Sequence, residues 1–141
     1  MLTVEGDVAA PRSFDDAALG ALQDQIADVA ALVPGREGSA IWLRALLAEA
    51  GVLPTARFAT LSSSDGKFAI CVPLQPLLDR AVLLYRLGGA PLPEKKGGPV
   101  RVLLTGEVPC EGPGLDACAM VKGLGRICVT AEREADVGHQ H

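Results

Sequence analysis

The chain has few of the side chains on which most enzyme chemistry depends. It contains no asparagine, and its two histidines, His139 and His141, both stand at the C-terminal end. Aromatic residues make up 4% of the sequence, and the first cysteine is Cys71. Serine–histidine and cysteine–histidine catalysis both need an imidazole base beside the nucleophile. The sequence therefore offers no such base before its polar tail.

Neither charge nor hydropathy indicates a nucleic-acid or membrane partner. The formal net charge is -4, and the 13 lysines and arginines are spread along the chain. Nucleic-acid binding depends on clustered cations, so this distribution argues against it. No apolar run reaches the roughly 18 residues that a membrane-spanning helix needs, and the N-terminus lacks the pattern of a secretory signal. We therefore expect a cytoplasmic protein.

The four cysteines lie in the second half of the chain, at Cys71, Cys110, Cys118 and Cys128. No pair has the C-x-x-C spacing that is typical of zinc sites. Cys71 and Cys128 stand in apolar runs, where a free cysteine usually behaves as a small buried hydrophobic residue. Cys110 and Cys118 flank a loop rich in glycine and proline, and they remain a candidate redox pair or metal clip. A disulfide between them would be unusual in the cytoplasm.

Length and composition predict one folded domain with a short tail. The chain has 141 residues, of which 49% are hydrophobic and 21% are charged, and this is enough apolar material for one core. Residues 1–131 carry the patterns of regular structure. Residues 132–141 are polar, and we expect them to be disordered.

Strand patterns outnumber helix patterns in residues 1–131. Apolar stretches predict strands at 2–6, 56–62, 67–72, 82–87, 100–104 and 127–130. An Asp-Gly dipeptide at 65–66 predicts a tight hairpin turn between the second and third of these. One helix is predicted with Ser13 as its N-cap, and another is predicted with Ser39 as its cap, Trp42 on its apolar face and Gly51 as its stop. The fold class that follows is α+β.

Several short motifs in the chain follow one another in a familiar order. They are Ala56-Arg57-Phe58, Ser64-Asp65-Gly66, Val72-Pro73-Leu74, Leu87-Gly88-Gly89-Ala90-Pro91-Leu92-Pro93, Gly97-Gly98-Pro99-Val100-Arg101 and Cys118-Ala119-Met120-Val121-Lys122-Gly123 with Arg126-Ile127. No single motif is specific, but their order and spacing resemble the molybdopterin-binding domain of the sulfite oxidase family. The resemblance covers residues 2–130. It implies the fold of that family, a mixed and largely β core with flanking helices, and a relation to molybdenum-cofactor oxidoreductases.

The chain departs from this family in the region of the cofactor. The family's enzymes bind molybdenum through a cysteine thiolate between the first two helices, and residues 27–32, where that ligand should fall, contain no cysteine. The family also holds the pterin and its phosphate with many histidine, asparagine and arginine donors, which this chain mostly lacks. The resemblance and its gaps together imply a degenerate, non-catalytic domain. We expect it to bind a small anion or a protein partner and to hold no cofactor.

Two cationic positions still match the family's cofactor motifs. Lys122, followed by Gly123, matches a position near the cofactor, and Arg101 matches the arginine after Gly-Gly-Pro-Val. We take Lys122, Gly123 and Arg101 as candidate residues for binding a cofactor or an anion, with a fold-supporting or surface role as the other interpretation of the two cations. No residue is assigned a catalytic or metal-binding role.

Two other functions remain open at this point. The first is a genuine oxidoreductase component that binds the molybdenum cofactor, molybdopterin included, with a noncanonical metal ligand. The second is a redox or metal-binding loop built on Cys110 and Cys118.

Overall fold

Two β-sheets account for most of the regular structure in the computed structural model, which describes residues 2–33, 35–105 and 121–132. The strands are β1 (Leu2–Gly6), β2 (Arg12–Phe14), β3 (Gln25–Ile26), β4 (Ser39–Trp42), β5 (Phe58–Ser63), β6 (Ala69–Pro73), β7 (Ala81–Leu87), β8 (Ala90–Pro91), β9 (Arg101–Leu104) and β10 (Leu124–Thr130). The helices are α1 (Asp16–Gly20), α2 (Leu43–Ala50) and α3 (Leu74–Arg80), and single 3-10 turns span Val29–Ala31 and Glu94–Lys96. The predicted α+β class with a largely β core is confirmed. Across the described ranges, no helix is both long enough and apolar enough to cross a membrane.

Some sequence predictions fall outside the described residues. They are the loop that carries Cys110 and Cys118, and the tail with His139 and His141. The redox-pair hypothesis and the expected disorder of the tail therefore stay predictions.

The first sheet joins both ends of the described chain. Its strand order is β2-β1-β10-β5-β6, so β10 is the central strand. β1 runs parallel to β10, and the other neighbouring strands are antiparallel. β5 and β6 form the predicted hairpin around Asp65-Gly66, with Thr60 opposite Cys71.

The second sheet is organised around β7, the continuous apolar run that the sequence predicted as a buried strand. β7 pairs with β4 along one edge and with β9 and the short β8 along the other. Because side chains alternate across a strand, β7 presents Leu83 and Tyr85 to one face and Val82 and Leu84 to the other. Both faces are covered, which explains why β7 is apolar at successive positions.

Each face of the second sheet therefore contributes to its own apolar cluster. The main core unites the inner faces of both sheets with the helices, and includes Val4, Leu61 and Leu83. A second cluster lies on the opposite face of the second sheet: Val29, Ala40, Val82, Leu84, Leu92 and Leu103, with Trp42 and Leu87 among the partly buried members. This second cluster forms the floor of one of the clefts described below.

The first helix begins later than predicted. Ser13 is not its N-cap, because Ser13 lies in β2 opposite Thr3. The cap is Asp15, whose Oδ1 accepts a hydrogen bond from the Ala18 amide at 2.8 Å. The helix ends at Gly20, and Nε2 of Gln25 donates hydrogen bonds to the carbonyl oxygens of Leu19 at 2.7 Å and Leu22 at 3.0 Å.

The second helix is confirmed in its body and its stop but not in its start. Gly51 has φ 75° and ends α2 in the left-handed conformation, as predicted. Ser39 does not cap the helix, because Ser39–Trp42 forms strand β4 beside β7. The Ser39 hydroxyl instead donates to the Ala27 carbonyl at 3.0 Å. Pairing with a long buried strand has overridden the local helical pattern.

Candidate functional site

The segment between β8 and β9 contributes residues to two clefts. Gly98 sits so close to the chain before it that a Cβ atom would overlap the Leu92 carbonyl. Gly97 has φ +97°, and a Cβ there would lie 2.7 Å from Cδ of Arg101. The Gly97 carbonyl accepts a hydrogen bond from the Gly123 amide at 2.8 Å. Glycine is therefore favoured at Gly98 by the close approach of the Leu92 backbone, and at Gly97 by its positive φ and the adjacent Arg101 side chain.

The first cleft contains Lys122 and Gly123, and we call it the lysine cleft. It has a volume of about 520 Å³ and is lined by Ser63, Ser64, Asp65, Leu92, Glu94, Gly97, Gly98, Pro99, Lys122 and Gly123. The hairpin turn and the loop before β9 thus supply two carboxylates and Lys122 supplies the cation. This mixture of charges gives the cleft no strong preference for an anion.

Asp65 has a structural role in the hairpin turn at the edge of this cleft. Its Oδ1 accepts hydrogen bonds from the Ser63 hydroxyl at 2.6 Å and from the Lys67 amide at 2.9 Å. These two bonds favour the ionised carboxylate and lower the pKa of Asp65 below its ordinary value of 3.8. The turn chemistry predicted for the Asp-Gly dipeptide is present.

The Asp65→Asn variant is expected to be less stable than the unmodified chain at neutral pH, with the difference shrinking in acid. The pKa of Asp65 is lower in the folded than in the unfolded chain, so the ionised carboxylate stabilises the fold at pH values above the pKa that Asp65 has in the unfolded chain. That contribution is lost as the pH falls from 3.8 through the lower folded pKa. Urea unfolding of both proteins between pH 2 and 7 measures the difference. A difference independent of pH would contradict the assignment, and Ser63→Ala should reduce the pH-dependent part.

The second cleft contains Arg101, and we call it the arginine cleft. Its volume is about 290 Å³, and its lining residues are Gly35, Arg36, Glu37, Leu84, Leu87, Leu92, Lys96 and Arg101. Three cationic side chains and one carboxylate meet there, on a floor formed by the second apolar cluster. The arginine cleft therefore carries a net positive charge.

Arg101 is the most constrained cation of the arginine cleft. Its Nε atom is buried and has no hydrogen-bond partner. Its Nη1 lies 3.5 Å from the Lys96 carbonyl oxygen, at the outer limit for a hydrogen bond. Burial lowers the pKa of Arg101, and the nearby positive charge of Arg36 adds to this effect. An anion bound between these two arginines would offset both effects and would supply the missing acceptor.

The three candidate residues from the sequence do not meet in one cleft. Lys122 and Gly123 line the lysine cleft, whereas Arg101 lines the arginine cleft. The sequence interpretation did not identify Arg36 and Glu37 as site residues. No local pattern marks them, because the pairing of β4 with β7 is what brings them beside Arg101.

Comparison with known proteins decides the family. A family model described as the oxidoreductase molybdopterin binding domain matches residues 37–137. This chain belongs to that family. The predicted resemblance to the molybdopterin-binding domain of sulfite-oxidase-type proteins is therefore confirmed. None of the curated proteins is similar enough to count as a match.

A solved structure agrees with the family fold. The sulfane dehydrogenase SoxCD from Paracoccus pantotrophus superposes with a TM-score of 0.65 at 20% sequence identity. The superposition covers 94% of this chain but 38% of that one. At this identity the likeness concerns the fold alone.

The two clefts match only part of what a molybdenum cofactor needs. The pterin part carries a phosphate, and Arg101 and Lys96 of the arginine cleft are suitable partners for it, with the buried Nε of Arg101 lacking an acceptor. A molybdenum site also uses a thiolate, and the two cysteines among the described residues line neither cleft. Cys71 is buried in β6 and Cys128 is half-buried in β10. Within the described ranges, no three His, Cys, Asp or Glu residues cluster as metal ligands.

Proposed function

We propose that this chain is a non-catalytic member of its family that binds a small oxyanion in the arginine cleft. The observation that carries the proposal is the buried Arg101 Nε without a hydrogen-bond partner, beside the second guanidinium of Arg36 and the ammonium of Lys96. A guanidinium presents a planar fork of donors that suits an oxyanion. The anion would neutralise charges that repel one another when the cleft is empty of ligand.

The region of the missing thiolate supports a non-catalytic role. In residues 27–32, where the family's enzymes are expected to place a cysteine, the chain forms a 3-10 turn with Val29 buried. The one carboxylate there, Asp28, caps that turn by accepting a hydrogen bond from the Ala30 amide at 3.0 Å. Asp28 is therefore occupied by a structural role.

Inorganic phosphate should bind the full chain, and Arg101→Gln should weaken that binding at least about tenfold. A hydrogen bond to a charged group contributes roughly 1.5–3 kcal/mol, and about 1.4 kcal/mol corresponds to a factor of ten in affinity. Isothermal titration calorimetry measures the affinity, and circular dichroism checks that the variant is folded. Lys122→Gln is the matched control, because Lys122 lines the other cleft and should leave the affinity unchanged. Equal weakening by both variants, or no binding at all, would contradict the proposal.

The alternative proposal is a molybdenum-cofactor protein with a noncanonical metal ligand. Family membership favours it, together with the presence of Lys122 and Arg101 in two clefts that share Leu92, so that each cation could contact one part of an extended ligand. When bound, that cofactor would supply redox chemistry. Molybdenum and released pterin should be measured on protein made in a host that synthesises the cofactor. Near-stoichiometric amounts of both would replace our first proposal with this one.

A further inference from the structure

The floor of the arginine cleft is made of leucine side chains. Leu84 and Leu92 are each 4% exposed, and Leu87 is partly exposed at the end of β7. All three pack in the second apolar cluster on the outer face of the second sheet. The cleft therefore joins a hydrocarbon surface to a cationic rim.

An inorganic anion would use only one of these two surfaces. Phosphate or sulfate would contact the guanidinium and ammonium groups and would gain nothing from the leucines. Ligand sites in proteins are mostly apolar, with a few polar groups that fix orientation, and this cleft has that composition. Its chemistry suits a ligand with one charged end and one apolar end.

The size of the arginine cleft limits the apolar part of such a ligand. A protein cavity of about 150 Å³ accommodates benzene. The arginine cleft, at about 290 Å³, has room for one ring and an oxyanion group. A long acyl chain or a second ring system would extend beyond it.

We propose that the ligand of the arginine cleft is a small amphiphilic anion, whose oxyanion group contacts Arg101 and whose ring-sized apolar body packs on Leu84, Leu87 and Leu92. This inference rests on the proposed anion-binding function and specifies the chemical class of the anion. Glu37 lies on the rim among three cations. The cleft therefore keeps a net positive charge, which suits one carboxylate, sulfonate or phosphonate group. The Glu37 carboxylate would repel a second anionic group placed beside it.

Phenylphosphonate and methylphosphonate form a matched pair of probes, because they share the headgroup and differ in the apolar body. On the full chain, calorimetry should show phenylphosphonate binding at least about tenfold more tightly, since the ring removes apolar surface from water. Equal affinities would overturn the amphiphilic ligand and leave oxyanion binding intact. If neither probe binds, the proposed function fails along with this inference.

The Leu87→Ser variant locates the preference for the ring. Leu87 is partly exposed, so the variant should fold, and it should bring the affinities of the two phosphonates within about threefold of each other. Leu53→Ser is the control, because Leu53 is exposed and does not line the cleft, and it should retain the full preference. An undiminished preference in a folded Leu87→Ser variant would show that the ring binds elsewhere and would overturn the inference.

Discussion

The Gly6→Ala variant is expected to lose about 3 kcal/mol of its free energy of unfolding, because two separate penalties act at this position. Gly6 has φ +96°, in the left-handed region that alanine rarely adopts. A Cβ there would also overlap the Val129 carbonyl oxygen and lie 2.8 Å from the Val129 amide nitrogen. Gly6 pairs with Val129 where β1 meets β10, so the overlap cannot be relieved without moving the parallel strands apart.

The matched control for this variant is Gly66→Ala. Gly66 also has a positive φ, +75°, but a Cβ there would have no atom within 4 Å. The Gly66→Ala variant should therefore lose about 1 kcal/mol of its free energy of unfolding, which is the conformational penalty alone. Equilibrium unfolding in urea, followed by the fluorescence of Trp42, measures both. Equal losses would mean that steric contact between β1 and β10 contributes nothing.

The second large effect is expected for Leu83→Ala. Leu83 is fully buried in β7, with Ile41 of β4 on one side and Val102 of β9 on the other. Removing a leucine side chain from such a position leaves a cavity and costs roughly 2–5 kcal/mol. The same urea titration measures the loss.

Leu53→Ala is the control for this substitution. Leu53 is 40% exposed, so the same truncation should change the stability by less than about 0.5 kcal/mol. A loss of similar size in both variants would contradict the central position of β7.

The strands and the hairpin could be predicted because their signals are local. Alternation marks Leu2–Gly6, and the Asp-Gly dipeptide determines the turn between β5 and β6 without reference to the rest of the chain. Glycine likewise determines where α2 ends. These features depend on backbone geometry and on neighbours in the sequence.

The starts of the two helices could not be predicted from the same kind of signal. Ser13 and Asp15 are both good N-cap residues, and only the pairing of Ser13 with Thr3 in the first sheet leaves the cap to Asp15. Ser39 lost its predicted role for the same reason, since β4 pairs with β7. Contacts between distant segments decided between equal local alternatives.

Only part of the site could be predicted, because the rest of it depends on contacts between distant segments of the chain. Arg101 and Lys122 stand in family motifs, so they could be named from the sequence, but their placement in two different clefts could not be predicted. Arg36 carries no motif. It reaches Arg101 only because the second sheet folds the two segments together, and the leucine floor of the same cleft depends on the outer face of β7.

The position of β10 at the centre of the first sheet constrains how the molecule can be made. During translation β1, β5 and β6 are synthesised before β10. Until β10 has been synthesised, β1 and β5 have no strand between them. Their facing edges stay open to pairing with other chains during that interval. Closing the first sheet therefore joins the most distant segments of the described chain, and a nascent chain stalled before residue 124 should be prone to aggregate.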